Sequence, residues 1–279
     1  MSPSLAPLSR AVRTAALLGL AATGLSCAIS QQQEVQLGAT YATQIDTQLP
    51  LIRDTRVVGY VTALGNQLAA VTDTRGLTWH FAVVDSKEVN AFAVPGGWVY
   101  VNRGLIARAA TMNELAGVLG HEIGHVTRRH SVQQMQQAQG MNGGLMALCT
   151  LTKVCDSGAS QSAINLGGTA LFAKFSREDE AQADEEGVAT LVKARIHPNG
   201  IPAMFRILLA ERQSNPSAVD AFFATHPLEE SRIVATTKQI AAYPAATLRG
   251  LQVDSDAYQL MRRQLNSLPP SPTPKAVAK

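Results

Sequence analysis

The chain has 279 residues, 46% of them hydrophobic and 16% charged, with 24 basic against 21 acidic side chains and a formal net charge of +3. That is enough apolar material for a sizeable core, which excludes general disorder. With no long basic block and only 5% aromatic residues, nothing suggests a nucleic-acid surface, and no nucleic-acid partner is expected.

Arg10 and Arg13 precede the apolar run 15–22, and small residues follow around Ser26-Cys27-Ala28. Basic, then apolar, then small is the order of a secretory signal, so residues 1–28 are expected to be an address rather than fold. The run is short for a membrane span, and no later stretch of about 18 residues is free of charge and polar breaks. Cys27 stands where a bacterial lipoprotein is cleaved and acylated. Ser26 fits that pattern, whereas Gly24 stands where Leu is usual. The expectation is a periplasmic protein with a lipid anchor at Cys27, holding it to the outer membrane; cleavage after Ala28 is the competing reading. Cys149 and Cys155 can close a small loop, leaving Cys27 as the odd thiol.

Residues 31 to about 73 read as helix, with Val57, Val58, Val61, Leu64 and Leu68 at three- and four-residue steps. Leu77 to Val84 alternates and predicts a strand. Val89 to Val101, with Pro95-Gly96-Gly97 between two β-prone runs, predicts a hairpin. Thr111 and Glu114 have capping-box spacing and open a helix expected to run to about Gln139. Residues 140–170 are rich in small and polar residues and read as a loop or weak helix beside the site, a candidate lid. Ser176 to Asp179 opens a helix to about Arg195, and helices follow near 200–213, 228–241 and 255–266. The proline-rich segment 268–279 is expected to be disordered. The whole predicts a mainly α fold, with a small antiparallel sheet, in one domain over 29–267.

His121-Glu122-Ile123-Gly124-His125 is an HExxH motif. On a helix, positions i and i+4 share a face, so both imidazoles can reach one metal ion. Glu122 projects to the side and suits a general base that takes a proton from water. Gly124 lets another segment come close. A catalytic metal needs a third protein ligand, and Ser131 stands where a third His of the longer HExxHxxGxxH pattern would be. The best candidate is Glu180, with Asp184 one turn later on the same face, able to orient a ligand His. Spacing alone does not separate Glu180 from Glu178 and Asp179. His80, His130 and His197 read as structural, with His130 favouring the C-terminal dipole of its helix.

Several motifs fall in order: Asn90-Ala91-Phe92-Ala93 with Pro95-Gly96-Gly97; Asn113 to Gly120 running into HExxH; Val126 to His130; Ser176-Arg177 with Glu180 and Asp184; Thr225-His226-Pro227 with Arg232. On these, roughly residues 34 to 240 resemble the HtpX-like and CAAX-prenyl-protease family of zinc metallopeptidases. The similarity is greatest to periplasmic members that act on outer-membrane proteins. The resemblance implies a zincin fold and one Zn2+ per chain, held by His121, His125 and Glu180 with Asp184 behind them. It implies catalytic roles for Glu122, His226 and Arg232. His226 would sit near the metal, either stabilising charge on the substrate oxygen or blocking the open position, with Arg232 beside it. Asn90, Ala91, Phe92 and Ala93 would hold substrate as an added strand. The implied activity is zinc endopeptidase action on unfolded or misassembled envelope proteins. A chaperone-like assembly factor with a masked zinc site is the rival. Helical repeats, which periplasmic relatives can carry after the protease, are not visible in the sequence that follows.

Overall fold

The computed structural model describes residues 29–138 and 174–272. Residues 1–28 with Cys27, residues 139–173 with the expected 140–170 loop, Cys149 and Cys155, and the chain beyond residue 272 lie outside the described residues.

Helix α1 (Gln31–Gln48) starts at a capping box in which Ser30 and Gln33 satisfy one another's amides. Helix α2 (Thr55–Thr72) starts at Asp54, whose carboxylate accepts from the amides of Arg56 and Val57. The single helix expected over 31–73 is therefore two. Pro50 drives Leu49 into extended backbone (ψ 139°), because its ring clashes with a helical predecessor. The connector then runs beside the sheet, with the Ile52 amide on the Val83 carbonyl.

Strands β1 (His80–Val84), β2 (Ala91–Val94) and β3 (Trp98–Asn102) form one sheet in the order β1-β3-β2. The hairpin β2–β3 is antiparallel, with Ala91 opposite Val101 and Val94 opposite Trp98. Its turn needs glycine: φ is +82° at Gly96 and +113° at Gly97. Strand β1 lies parallel to β3, so the sheet is mixed rather than purely antiparallel. Strand pairing across the sheet is a tertiary property that alternation in one segment does not encode.

After α3 (Arg103–Arg108) comes α4 (Met112–Thr127), the helix that carries HExxH. At its start the Glu114 carboxylate accepts from the amides of Ala110 and Thr111. Helix α4 was expected to continue to 139. It stops at Arg128, and Arg129 takes φ +61° before helix resumes over residues 130–138. No glycine or proline marks this break. It is held instead by Arg129 Nε on Glu34 Oε2 at 2.8 Å and by Arg129 Nη2 on the Ile29 carbonyl.

Helix α5 (Arg177–Lys193) opens at the predicted box of Ser176 and Asp179. It is followed by α6 (Gly200–Ser214), a 3₁₀ turn (Pro216–Ala218), α7 (Asp220–Thr225), α8 (Glu230–Ala241), α9 (Ala245–Leu248) and α10 (Asp256–Ser267). Helix α4 is the centre of the molecule, packed by α5, α6, α2 and β2. Its Leu115, Leu119 and Ile123 are fully buried among Leu68 of α2, Leu191 of α5, and Ile201 and Met204 of α6. Gly124 lets α4 and α5 come close, since a Cβ there would lie 3.1 Å from the Ala183 carbonyl oxygen. The first residues past α10 lie against the fold: Arg103 donates to the carbonyls of Leu268 and Pro269, and Ser271 donates to Asp85. Among the described residues no helix is long and apolar enough to cross a membrane. The architecture is mainly helical with a small mixed sheet, as in zincins.

Candidate metal centre

One turn of α4 sets His121 and His125 on the same face, both buried, with their Nε2 atoms 3.0 Å apart. The first turn of α5 brings Glu180, fully buried, to this pair. Its Oε2 is 3.5 Å from His121 Nε2 and its Oε1 3.4 Å from His125 Nε2. His226, buried just past α7, puts Nδ1 3.0 Å from Glu180 Oε1. One donor atom from each of the four residues lies within 4.8 Å of all the others. Nitrogen and oxygen ligands at about 2.1 Å in a tetrahedron stand about 3.4 Å from one another, and the separations between Glu180 and the two imidazoles match that figure. Two imidazoles and a carboxylate, closed off from water, are a donor set suited to a divalent ion of borderline softness. Burial breaks the three-way tie among the carboxylates: Glu178 is exposed and Asp179 caps α5, while Glu180 faces inward.

Glu122 is buried, and its Oε1 has no hydrogen-bond partner among the described residues. His226 Nε2 lies 3.6 Å from that oxygen. A buried carboxylate oxygen is not stable unpartnered, so this acceptor faces the place where a water or substrate atom would be held.

The electrostatics are strongly coupled. Burial disfavours a charge on His121, but the carboxylates of Asp184 and Glu180 outweigh it and push the imidazole up to about 9. Burial, with His121 and His226 as positive neighbours, holds His125 well below the usual imidazole range despite Glu180. Burial also opposes ionisation of Glu180, yet His226, His121 and His125 hold it well below the usual carboxylate range.

Around these groups stands a second layer. His121 Nδ1 lies 2.9 Å from Asp184 Oδ1, an ion-pair contact that is not aligned as a hydrogen bond. Arg232 grips Asp184 through Nε at 2.8 Å and Nη2 at 2.6 Å. Its Nη1 donates to Glu180 Oε2 and to the Pro227 carbonyl, and its guanidinium stacks 4.5 Å above the Phe205 ring. Arg232, for which a charge-stabilising part beside His226 is expected, thus has its nitrogens on the carboxylates of α5 and the Pro227 carbonyl.

Three residues with no part in the site expected from sequence also reach these imidazoles. Phe175 stacks on His125 with ring centres 3.9 Å apart, and Phe222 stacks on His226 at 5.0 Å. His130, taken as structural, has Nδ1 2.9 Å from His125 Nδ1. Five residues along an unbroken helix would place it on another face; the break at Arg129 brings it back. No local signal announces that contact.

The segment Asn90–Ala93 enters β2, an edge of the sheet paired with β3 on one side. The Asn102 amide bonds the Asn90 carbonyl. Antiparallel ladders alternate bonded and non-bonded pairs, so the peptide groups of Ala91 and Ala93 face away from β3.

A family model, Peptidase family M48, matches residues 56–240. The chain is 30% identical over 219 residues to the beta-barrel assembly-enhancing protease of Escherichia coli strain K12, 76% of this chain and 44% of that protein. It is 31% identical over 177 residues to the metalloprotease LoiP of the same strain, covering 63% and 66% of the two chains. It is 30% identical over 189 residues to the mitochondrial metalloendopeptidase OMA1 of Schizosaccharomyces pombe, covering 67% and 54%. The chain thus spans about half the length of the beta-barrel assembly-enhancing proteases it matches.

Proposed function

The chain belongs to peptidase family M48 and is a metalloprotease, and on that premise we propose a zinc endopeptidase that cleaves misfolded or stalled cell-envelope proteins. His121, His125 and Glu180 hold the ion. When bound, Zn2+ acts as a Lewis acid that lowers the pKa of water from 15.7 to about 7 and polarises a carbonyl. Glu122 takes the proton from the attacking water and returns it to the leaving amine. His226, 3.6 Å from Glu122, stands where its Nε2 can hydrogen-bond negative charge developing on the substrate oxygen. Asp184 and Arg232 touch neither substrate nor water in this reading; they position His121 and Glu180. Backbone groups of Ala91 and Ala93, with Asn90 and Phe92 flanking, align the substrate as an added strand. The observation that carries the proposal is the buried His-His-Glu set with the unpartnered Glu122 oxygen beside it.

The substrate class rests on the names of the relatives, read together with the signal-like residues 1–28 and the resemblance to HtpX-like periplasmic proteases. By the same reading residues 29–267 form one catalytic domain, located in the periplasm and anchored through a lipid on Cys27. A second reading is favoured by one observation: His226 belongs to the four-donor group. If His226 takes the fourth position, the centre is closed and the protein serves as a chaperone-like assembly factor. Wild type and Glu122→Gln, both loaded with zinc, should be compared on an unfolded outer-membrane β-barrel protein. Cleavage by wild type alone is expected. Two inert proteins that both speed barrel assembly would establish the second reading.

A further inference from the structure

We propose that His130 and Gln182 form a hydrogen-bonded relay that fixes the tautomer of His125 and so positions its metal-binding nitrogen. The inference rests on the assignment of His125 as a ligand through Nε2. A ligand nitrogen must offer its lone pair, so the imidazole proton of His125 sits on Nδ1. That atom faces His130 Nδ1 at 2.9 Å, so His130 Nδ1 accepts and the proton of His130 lies on its Nε2. His130 Nε2 then donates to Gln182 Oε1 at 3.2 Å. The Gln182 amide is oriented in turn, because its Nε2 donates to Glu178 Oε1 at 3.3 Å. Direction is therefore set the whole way from the ion to the exposed start of α5. Asp179 Oδ1, at 3.9 Å from His130 Nε2, is too far to replace Gln182 as acceptor.

The relay explains why a buried, neutral group stands behind His125 while a carboxylate stands behind His121. Glu122, Glu180 and Asp184 are buried carboxylates, and Arg232 with a divalent ion balances their charge. A fourth carboxylate behind His125 would leave the centre with an uncompensated negative charge, which is costly in a dry site. Histidine supplies an acceptor without adding that charge. Phe175, stacked on the His125 ring, limits rotation away from this partner.

The test uses the full chain. Zinc affinity, by competition with a chelator, is measured for wild type, His130→Leu and His130→Asn, alongside melting of the metal-free proteins. Leucine removes the acceptor; the Asn side-chain oxygen falls near the position of Nδ1 and keeps it. The expected result is a 10- to 100-fold loss of affinity for His130→Leu, largely recovered in His130→Asn. Loss in both variants or in neither would overturn the relay, because a purely packing role changes melting without distinguishing an acceptor. Long-range proton–nitrogen NMR of the zinc-loaded wild type decides independently of how the variants fold. It should show the proton on Nδ1 of His125 and on Nε2 of His130; a proton on Nδ1 of His130 contradicts the proposal. Zinc retained at full affinity by His125→Ala would instead defeat the ligand assignment on which the relay rests.

Discussion

Glu180 is fully buried, and three imidazoles and a guanidinium converge on it. Its partners make that burial tolerable, and each partner is exposed to a penalty if another is removed. Arg232 shows this most plainly. Burial opposes its charge, but Asp184 and Glu180 hold it above its ordinary range. Arg232→Met leaves two buried carboxylates, one turn apart on the same face of α5, without their shared cation, and removal of one member of such a group costs about 3–5 kcal/mol. Urea unfolding of the metal-free protein should register a loss of that size, with a smaller loss once zinc is added. An unchanged midpoint would mean that the group is solvated. Glu122 stands apart from this group: among the described residues its Oε1 has no hydrogen-bond partner, and its one ion-pair contact is His226 at 3.6 Å. Glu122→Gln should lower peptide hydrolysis by about 10²–10⁴-fold, the usual range for general acid–base catalysis. Its zinc content should equal that of wild type; parallel loss of both would make Glu122 a ligand.

At the scale of elements, the site is the crossing of α4 and α5, and Gly124 sets their distance. An alanine there meets Ala183 backbone atoms at 3.1 and 3.2 Å, so α5, which carries Glu180, must give by a few tenths of an ångström. Against this, Ala gains about 1 kcal/mol over Gly in helix propensity. Gly124→Ala should therefore change melting little yet weaken zinc binding; undiminished affinity would show that the helices do not need this closeness. The starts of α4 and α5 were legible because Glu114, Ser176 and Asp179 act on amides within a few residues. HExxH was legible for the same reason, both imidazoles sharing one helical face. The break at Leu49 was written in Pro50 and Asp54 but overridden by the apolar periodicity on either side. The break at Arg129 was not written locally at all, because Glu34, 95 residues away in sequence, holds it. Glu180 was favoured over Glu178 and Asp179 by Asp184 one turn later and by the family resemblance, but spacing did not separate the three, since burial is decided by the packing of α5. His130 and Phe175 reach His125 for equally non-local reasons.

At the scale of the whole molecule, residues 56–240 carry the family match, but the fold extends past both ends of it. On one side, Glu34 of α1 is fully buried between Arg75 and Arg129 and accepts from the Gly96 amide in the hairpin turn. It thereby ties the β-hairpin to the end of the active-site helix. On the other side, α10 buries Tyr258, Met261 and Leu265 against the same core, and the Tyr258 hydroxyl bonds the Ala109 carbonyl at 2.8 Å. A fragment trimmed to 56–240 should therefore fail to show a cooperative unfolding transition by circular dichroism. In the full chain, Tyr258→Ala should cost about 3–5 kcal/mol, as for other large buried rings. A cooperative transition in the trimmed fragment would show that the outer helices decorate the domain rather than complete it.

In the proposed function, side chains from α4 and α5 hold one zinc ion. Crystals of the zinc-loaded protein, measured at the zinc absorption edge, test it directly. One anomalous peak is expected about 2.0–2.2 Å from His121 Nε2, His125 Nε2 and a Glu180 carboxylate oxygen. A peak bonded to the two histidines but not to Glu180, or no peak between them, would contradict it.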